Sequence, residues 1–264
     1  MPRILHLTDL HLRHHQPGSA EPAIRLSRAM PEMLERLALK LPDLDIDVVV
    51  ISGDLLDVPD EVIVSGSPDG RAHEDWLAEV ERDFGLIRGW LSDTGIDYVV
   101  CPGNHDHEPL FRRIFPEAAD FVDAAGIRFF CFWDELGSDR QPRRTAARRV
   151  LFEDALTLPQ HNVPQIHVQH YTIDPPTLSN GAHYEYLDAA EFKRRIDASG
   201  RVRAVLSGHY HPGILIQDGA VLYSGPPAFC EAPHRFRVYD LAGDGGFLVE
   251  NHSVTDPMKE SGKT

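Results

Sequence analysis

Short apolar runs recur along the chain, and each one ends on polar residues. Five of them read RILHLTD, IDVVVISGD, IDYVVCPGNHD, QIHVQH and VRAVLSGHYH. Between most of these runs lie longer stretches whose apolar positions have helical spacing, such as PAIRLSRAMPEMLERLALKL and HEDWLAEVERDFGLIRGWLSD. Alternation of buried strands with amphipathic helices predicts an α/β protein.

The pattern changes after Pro212. The stretches ILIQDGAVLYSG and HRFRVYDLAGDGGFLVENHSV alternate apolar and polar residues around Gly and Asp-Gly turns, which predicts antiparallel hairpins. The whole pattern indicates two packed sheets with helices outside them. No linker rich in Ser, Gly or Pro divides the 264 residues, so we expect one domain over residues 1–255 and a frayed tail over residues 256–264.

Two segments interrupt this regular pattern. Pro59 to Arg71 contains several Pro and Gly residues and is predicted to be a surface loop near the mouth of a site. Ser138 to Arg149 is rich in arginine, which could bind a substrate phosphate or could form a solvated helix face paired with nearby acids; the sequence favours the second interpretation. Its arginines are Arg140, Arg143, Arg144, Arg148 and Arg149.

The charge and the cysteines narrow the class of protein. The chain has 41 Asp and Glu against 26 Lys and Arg, a formal net charge of -15, which disfavours a broad contact with nucleic acid. Cations bound in a carboxylate-rich pocket would reverse the sign locally. Three cysteines without a CxxC pair favour a reduced, cytoplasmic protein. The N-terminus agrees, because the strand-like RILHLT begins almost directly after Met1, and no apolar run is long enough to span a membrane.

Metal-binding residue types follow all five strand-like runs. They are Asp9, His11, Asp54, Asn104, His170, His209 and His211. Because ligands bind at the carboxyl ends of the strands of open α/β sheets, we expect these side chains to converge on one site.

Local spacing supports this convergence. Two of the runs end in pairs two residues apart, Asp9 with His11 and His209 with His211, and in extended backbone such positions project to the same side. Each pair is therefore expected to line one cavity. A glycine directly before Asp54, Asn104 and His209 allows a sharp turn from the buried strand into the site.

The donor set indicates which metals fit. Carboxylates, an amide oxygen and imidazoles suit Mn²⁺, Fe or Zn²⁺, and the set lacks the thiolates of a structural zinc site. It is too large for one tetrahedral ion, whereas two ions that share a carboxylate would use it. Each piece alone is a weak signal, and we interpret His161 and His167 as ordinary loop and core residues, not as ligands.

The ordered set resembles the calcineurin-like metallophosphoesterases, whose pattern is D-x-H, GD, GNH-D/E, H and GH-x-H. The matching pieces are TDLHL, SGDLLD, PGNHD, VQHY and SGHYH, which extend from Thr8 to His211. The resemblance implies a four-layer α/β/β/α sandwich of two mixed β-sheets flanked by helices. It also implies a binuclear centre at which a metal-bound hydroxide attacks phosphate esters.

The resemblance also assigns roles to the matching residues. One ion would be held by Asp9, His11 and His211, the other by Asn104, His170 and His209, with Asp54 as the bridge. His105 would face the substrate and either stabilise a phosphoryl oxygen or protonate the leaving group, and Asp106 would hold its ring. The alternative is that His105 only supports the ligands.

The motifs favour some substrates over others. Protein phosphatases of this superfamily usually read GD-x-x-D-R-G, whereas Val58 and Pro59 replace that Arg-Gly here. The chain is more similar to class III cyclic-nucleotide phosphodiesterases, through ILHLTDLHL, VRAVLSGHYHPG and SGPPAFCEAPHRFRVYDL. It departs from their His-His-Pro-Pro motif, since Gln169 precedes His170 and Tyr-Thr-Ile-Asp follows it before the prolines, so we expect the loop that shapes the substrate pocket to differ from theirs.

A small phosphodiester is therefore the expected substrate. A phosphomonoesterase, an SbcD-type nuclease and a non-catalytic metal-binding scaffold remain as alternatives. His183, Tyr184 and Phe229 are candidates for the pocket wall, although ordinary packing is the favoured interpretation of all three. The sequence leaves the oligomeric state open, a homodimer included.

Overall fold

The computed structural model describes residues 2–118, 120–175, 184–242 and 246–255, together with the backbone of 178–179 and 182–183. The predicted tail at residues 256–264 lies outside this part of the chain. The strands are β1 (Arg3–Leu7), β2 (Val48–Ser52), β3 (Asp97–Cys101), β4 (Phe121–Ala124), β5 (Ile127–Phe132), β6 (Glu135–Leu136), β7 (Pro142–Arg143), β8 (Gln165–Gln169), β9 (Leu178–Ser179), β10 (Ala182–His183), β11 (Val202–Leu206), β12 (Ile214–Asp218), β13 (Val221–Gly225), β14 (Arg235–Leu241) and β15 (Phe247–Ser253).

The helices alternate with the strands in the first two thirds of the chain, as the sequence pattern predicts. The α-helices are α1 (Met30–Ala38), α2 (Leu41–Leu44), α3 (Asp60–Ile63), α4 (His73–Thr94), α5 (Glu108–Ile114), α6 (Ala146–Thr157) and α7 (Ala189–Ser199). Helix α4 ends where Gly95 adopts a left-handed conformation, which glycine reaches without steric cost.

Two large sheets form the centre of the molecule. The first has the order β15-β14-β1-β2-β3, in which β1, β2 and β3 are parallel and β14 and β15 are antiparallel additions. The second has the order β12-β13-β11-β8-β5-β4, with a parallel centre and antiparallel strands at both edges. The hairpins predicted after Pro212 are confirmed as β12–β13 and β14–β15.

Alternating residues of the second sheet show how the layers stack. Phe129 and Cys131 of β5 belong to the core shared with the first sheet, whereas Phe130 and Phe132 belong to a second core. That second core includes Phe152 of α6 and Phe192 of α7, and the larger core includes residues of α1, α4 and α5. Because successive side chains of a strand point to opposite faces, the sheets lie face to face with helices outside, and the predicted four-layer sandwich is confirmed.

Both irregular segments are more structured than the sequence predicts. The expected loop from Pro59 to Arg71 contains the one-turn helix α3. The arginine-rich segment is not one helix face, since only Arg148 and Arg149 lie in α6 and the preceding arginines lie around the β6–β7 hairpin. The expected pairing with acids is confirmed for four arginines: Arg143 with Asp139, Arg144 with Asp134, Arg148 with Asp120 and Arg149 with Asp188.

Candidate metal centre

The predicted ligands lie directly beyond the carboxyl ends of strands from both sheets. Asp9 and His11 follow β1, Asp54 follows β2 and Asn104 follows β3, all from the first sheet. His170 follows β8, and His209 and His211 follow β11, from the second sheet. The site therefore spans the interface between the two sheets.

Two groups of candidate ligands form at this interface. The donor atoms of Asp9, His11 and His211 all lie within 4.8 Å of one another, as do those of Asp54, His170 and His209. For donors about 2.0–2.2 Å from a shared cation, separations of this size are the expected ones. A further group joins His11 and Asp54 to His105.

Asp54 lies between the two groups. Its Oδ2 atom is 3.5 Å from Nε2 of His11 and 3.3 Å from Nε2 of His170. Its other oxygen, Oδ1, accepts a hydrogen bond of 2.8 Å from the backbone N–H of His105. One carboxylate oxygen therefore faces both clusters while the other is held by the backbone, which is the arrangement of a bridging ligand.

The backbone of these residues is strained. Asp9, His11, Asp54 and His209 have φ values of 52°, 45°, 49° and 64°. Non-glycine residues rarely adopt such values, and each costs on the order of 1 kcal/mol or more. The expectation that extended backbone brings the paired ligands together is therefore wrong: tight left-handed turns beyond β1 and β11 direct these side chains into the site.

Two of the motif glycines allow close backbone approach at the same place. A Cβ atom on Gly103 would lie 2.2 Å from Oδ1 of Asp54, and one on Gly208 would lie 1.9 Å from Oγ1 of Thr8. Neither position can accept a side chain without displacing a neighbour. The loops that carry Asn104 and His209 can therefore pack against those that carry Asp54 and Asp9 only because glycine precedes each ligand.

Hydrogen bonds fix the orientation of three imidazoles. The Nδ1 atom of His11 lies 3.2 Å from Oδ1 of Asp57, that of His170 lies 2.9 Å from the Ser52 carbonyl oxygen, and that of His211 lies 2.7 Å from Oε1 of Glu231. An acceptor at Nδ1 places the proton there and leaves the lone pair on Nε2. This is the tautomer that binds a metal through Nε2.

Two buried atoms fit the expected cations. Within the described residues, Oδ1 of Asn104 and Nε2 of His170 are buried and have no hydrogen-bond partner. A buried polar atom without a partner costs about 1–3 kcal/mol. Both atoms belong to residues assigned to the same ion, and a cation between them would satisfy both, so the side chains present fit a bound divalent metal.

The electrostatics of the cluster favour an ionised bridge. Burial tends to raise the pKa of Asp54, but the nearby His170 and His105 outweigh it and hold that pKa well below its usual range. Burial tends to lower the pKa of His170, but the charge of Asp54, its hydrogen bond, the charge of Asp9 and the Ser52 carbonyl together outweigh burial and raise this pKa to about 9, so a bound cation would displace the proton from Nε2. Burial, reinforced by His170, holds the pKa of His209 well below its usual range and keeps its ring neutral, as a metal ligand must be.

The acid beside His105 is Asp57. Its Oδ1 atom lies 3.4 Å from Nδ1 of His105. The structure does not place Asp106 on this ring: the carboxylate of Asp106 instead accepts hydrogen bonds from the backbone N–H groups of Leu55, Leu56 and Gly103. Asp106 therefore holds together the loops beyond β2 and β3. Burial, with the charge of Asp54, raises the pKa of Asp106 to about 7.

A cavity of about 300 Å³ opens over the cluster. Asp54, Asn104, His105, His209 and His211 contribute to its lining. The rest of its lining consists of Pro22, Arg25, Leu136, Arg140, Tyr184 and Pro212. Of the aromatic and polar candidates from the sequence, Tyr184 lines the cavity, Phe229 is fully buried and the side chain of His183 lies outside the described residues.

The family model of calcineurin-like phosphoesterases matches residues 2–213 of this chain. The chain belongs to this family. Calcineurin-like phosphoesterases act on phosphate esters, and they use a binuclear divalent-metal centre. The predicted family, fold and hydrolase class are thereby confirmed, and the clustered Asp and His side chains are the candidate ligands of that centre.

Solved structures show the same fold at low sequence identity. A dimetal phosphatase from Danio rerio has a TM-score of 0.73 at 13% identity, over 97% of this chain and 97% of that one. A purple acid phosphatase from yellow lupin has a TM-score of 0.63 at 13% identity, over 97% of this chain and 52% of that one. GAP50, the anchor in the inner membrane complex of Plasmodium, has a TM-score of 0.56 at 12% identity, over 96% of this chain and 84% of that one. A comparison with curated proteins gives no match.

Sequence reasoning did not assign some residues that complete the site. Glu231 contacts His211 and lies in the quoted segment SGPPAFCEAPHRFRVYDL without having been assigned a role, and Arg25 enters the cavity from a loop distant in sequence. Only Asp57, three residues after Asp54 in SGDLLD, carried a local signal. In the part of the chain that the structure describes, no helix has both the length and the apolar character required to cross a bilayer.

Proposed function

We propose that this calcineurin-like phosphoesterase hydrolyses small phosphodiesters at two divalent cations, Mn²⁺, Fe or Zn²⁺. The observation that carries the proposal is the position of one Asp54 oxygen between Nε2 of His11 and Nε2 of His170. One ion would be held by Asp9, His11 and His211, and the other by Asn104, His170 and His209, with Asp54 between them.

The cations would supply the electrophilic part of the reaction. When bound about 3.5–4 Å apart, two divalent ions polarise phosphoryl oxygens and lower the pKa of water. The side chains then have to hold the ions and place the ester over them. No protein nucleophile is required.

His105 is the residue proposed to act on the substrate. Its side chain is 26% exposed and lines the cavity, and Asp57 lies at its Nδ1 atom. With Nδ1 occupied, Nε2 is the atom available to an ester. A proton on Nε2 can stabilise a phosphoryl oxygen or pass to the oxygen of the leaving alcohol. Because Asp57 and not Asp106 contacts the ring, the orienting role expected for Asp106 is proposed for Asp57.

The lining of the cavity favours a diester as the substrate. Pro22, Leu136 and Pro212 give it apolar surface beside the cluster, against which the second ester group of a diester can pack. The loop after Asp54 lacks the arginine of protein phosphatases, since Val58 stands there and is buried. Both features favour a small ester with two organic groups over a phosphoprotein.

The proposal includes turnover and a cytoplasmic location. The relative GAP50 is described as an anchor, so the fold alone does not establish hydrolysis. Here all seven candidate ligand residues and His105 are present, which supports an enzyme over a scaffold. Three unpaired, buried cysteines, Cys101, Cys131 and Cys230, support a reducing compartment.

The test compares two chromogenic esters. Protein freed of metal and then loaded with Mn²⁺, Fe²⁺ or Zn²⁺ is assayed with bis-p-nitrophenyl phosphate and p-nitrophenyl phosphate. We expect metal-dependent release from both and a larger kcat/KM for the diester. A larger kcat/KM for the monoester would show that the protein is a phosphomonoesterase instead. If neither ester gave metal-dependent release, the protein would be a non-catalytic metal-binding scaffold. Cyclic nucleotides, glycerophosphodiesters and dinucleotides then identify the class of diester.

A further inference from the structure

The arginine-rich segment contains one arginine that differs from the rest. Four of its arginines are neutralised by neighbouring carboxylates. For example, Arg143 lies 2.5 Å from Asp139, and the buried Arg144 lies 3.3 Å from Asp134. Arg140 is exposed, and among the described residues it has no acidic partner within ion-pair distance. It instead lines the cavity over the metal cluster.

The backbone directs Arg140 to this position. Arg140 lies in the turn between β6 and β7 and has a φ of 61°, a left-handed conformation that non-glycine residues rarely adopt. Its N–H donates to the Gly137 carbonyl oxygen at 2.8 Å, which closes the turn. The hairpin thus presents this side chain at the rim of the cavity, on the wall that includes Leu136.

Arg25, the other arginine in the cavity lining, already pairs with a carboxylate. The Nη1 atom of Arg25 donates to Oδ1 of Asp57 at 3.3 Å, and its side chain is only 16% exposed. The same carboxylate also pairs with Arg13 and contacts His11 and His105, so the guanidinium of Arg25 is held within this network. Of the two arginines that line the cavity, Arg140 is the one with a guanidinium available to a ligand.

The guanidinium of Arg140, which has no carboxylate partner among the described residues, favours binding of an anionic group at the rim of the cavity. The protein as a whole carries a formal charge of -15 and repels anions at long range. A cationic group beside a partly enclosed cavity attracts an anion more strongly than one in open solvent, and arginine binds carboxylates and phosphates through two parallel hydrogen bonds.

We propose that Arg140 is a specificity-determining residue that binds a second anionic group of the substrate, a carboxylate or a phosphate on the alcohol that is not displaced. The inference rests on the proposed phosphodiesterase function. It predicts that the enzyme distinguishes diesters by the charge of their spectator group, because that group lies toward the β6–β7 turn while the phosphoryl group lies over the cations.

Three diesters with one leaving group test this selectivity. They are ethyl, 2-carboxyethyl and 2-aminoethyl 4-nitrophenyl phosphate, which share the leaving group and carry a neutral, an anionic and a cationic spectator group. We expect kcat/KM of the Mn²⁺-loaded enzyme to be about tenfold higher for the carboxyethyl ester than for the ethyl ester, and lowest for the aminoethyl ester. The advantage should shrink as ionic strength rises, since salt screens the partly exposed pair.

The variants separate this role from a structural one. Arg140→Asn removes the charge, and asparagine tolerates the left-handed backbone; within this variant, kcat/KM for the carboxyethyl ester should fall to that for the ethyl ester, so the preference is abolished. Arg140→Lys should restore part of the preference. Arg143→Asn, in the same hairpin, removes an equal charge that Asp139 already neutralises, and should leave the preference intact.

The outcomes are distinguishable. Failure of the wild type to cleave the ethyl ester in a metal-dependent way would overturn the proposed function. Cleavage of all three esters at equal efficiency would overturn the role of Arg140 alone. An equal loss on all three esters in Arg140→Asn would also overturn it, since the arginine would then act on the phosphoryl group or on the fold.

Discussion

Oδ1 of Asp57 lies 3.4 Å from Nδ1 of His105. The same oxygen lies 3.2 Å from Nδ1 of His11, a candidate metal ligand. One carboxylate therefore orients both a ligand and the residue proposed to act on the ester. Burial tends to raise the pKa of Asp57, but the hydrogen bond and charge of His11, with the charges of His105 and Arg25, together outweigh burial and hold the pKa below its usual value, so this acid is ionised at neutral pH.

Replacing Asp57 should therefore affect metal binding and rate together. Asp57→Asn keeps the shape but removes the charge that fixes both rings. We expect the affinity for Mn²⁺ to fall by about 10–100-fold, and kcat to remain below wild type even at saturating metal. Calorimetric titration of the metal-free protein and kcat at saturating Mn²⁺ measure the two effects. Glu32→Gln removes the same charge from an exposed pair with Arg36 and is the control; a metal affinity for Asp57→Asn equal to that of this control would contradict the prediction.

His105 and His209 should respond differently to truncation. His209→Ala removes one of the donors of the second cluster, and we expect the protein to retain about one metal ion instead of two. His105→Ala should retain both ions and lose about 10²–10⁴-fold in kcat, the usual contribution of a positioned acid or base. Elemental analysis after desalting and the rate on bis-p-nitrophenyl phosphate distinguish them. Equal metal loss in both variants would make His105 a ligand and not a proton donor.

Gly103→Ala should damage the centre without touching a ligand. The added Cβ would lie 2.2 Å from Oδ1 of Asp54 and 2.5 Å from its backbone nitrogen, so the carboxylate between the two clusters has to move. We expect weaker metal binding and at least about a tenfold loss of kcat/KM, since small displacements of catalytic groups have large effects on rate. Gly85→Ala in helix α4 meets nothing within 4 Å and should stabilise the helix by about 0.5–1 kcal/mol. Wild-type activity in Gly103→Ala would show that this close approach is not required.

The buried ring of His167 should make the free energy of unfolding decrease as the pH falls. It is fully buried among Phe130, Phe132 and Phe152, and burial, with the charge of Arg144, lowers its pKa from 6.5 to about 3. The fold therefore prefers the neutral ring, so this contribution is complete above pH 6.5 and is lost as pH falls toward 3. Between pH 6 and pH 4, wild type should lose about 1.4 kcal/mol of unfolding free energy per pH unit more than His167→Phe. Urea unfolding of both proteins at several pH values measures this, and parallel pH profiles would contradict it.

The sequence predicts the parts of this molecule that depend on strand order, and it misses those that depend on local backbone. Asp9, Asp54 and Asn104 could be placed together because the parallel strands β1, β2 and β3 deliver their carboxyl ends to one edge of a sheet. The left-handed turns at His11 and His209 could not be foreseen, because periodicity reports which residues are buried and not which sign φ takes where a strand ends.

The other contacts that the sequence did not predict join residues from different loops. Asp57 and Asp106 both lie close to the ligand loops, and only the path of the backbone decides that Asp57 reaches His105 while Asp106 receives three N–H groups. Glu231 reaches His211 from another loop, in a quoted segment whose pattern assigns it no role. Arg140 could not be separated from its four neighbours, because its role depends on which carboxylates stand opposite each arginine.

The division of the centre between two sheets has a consequence for how the polypeptide is made. Asp9, Asp54 and Asn104 leave the ribosome early, whereas His211 is synthesised after most of the chain, and β1 obtains its partner β14 later still. The nascent chain thus contains Asp9, His11, Asp54 and Asn104 before His170, His209 and His211 exist. We therefore expect the cluster to be complete only after His211 has been made, and a cation bound there would join segments translated far apart in time.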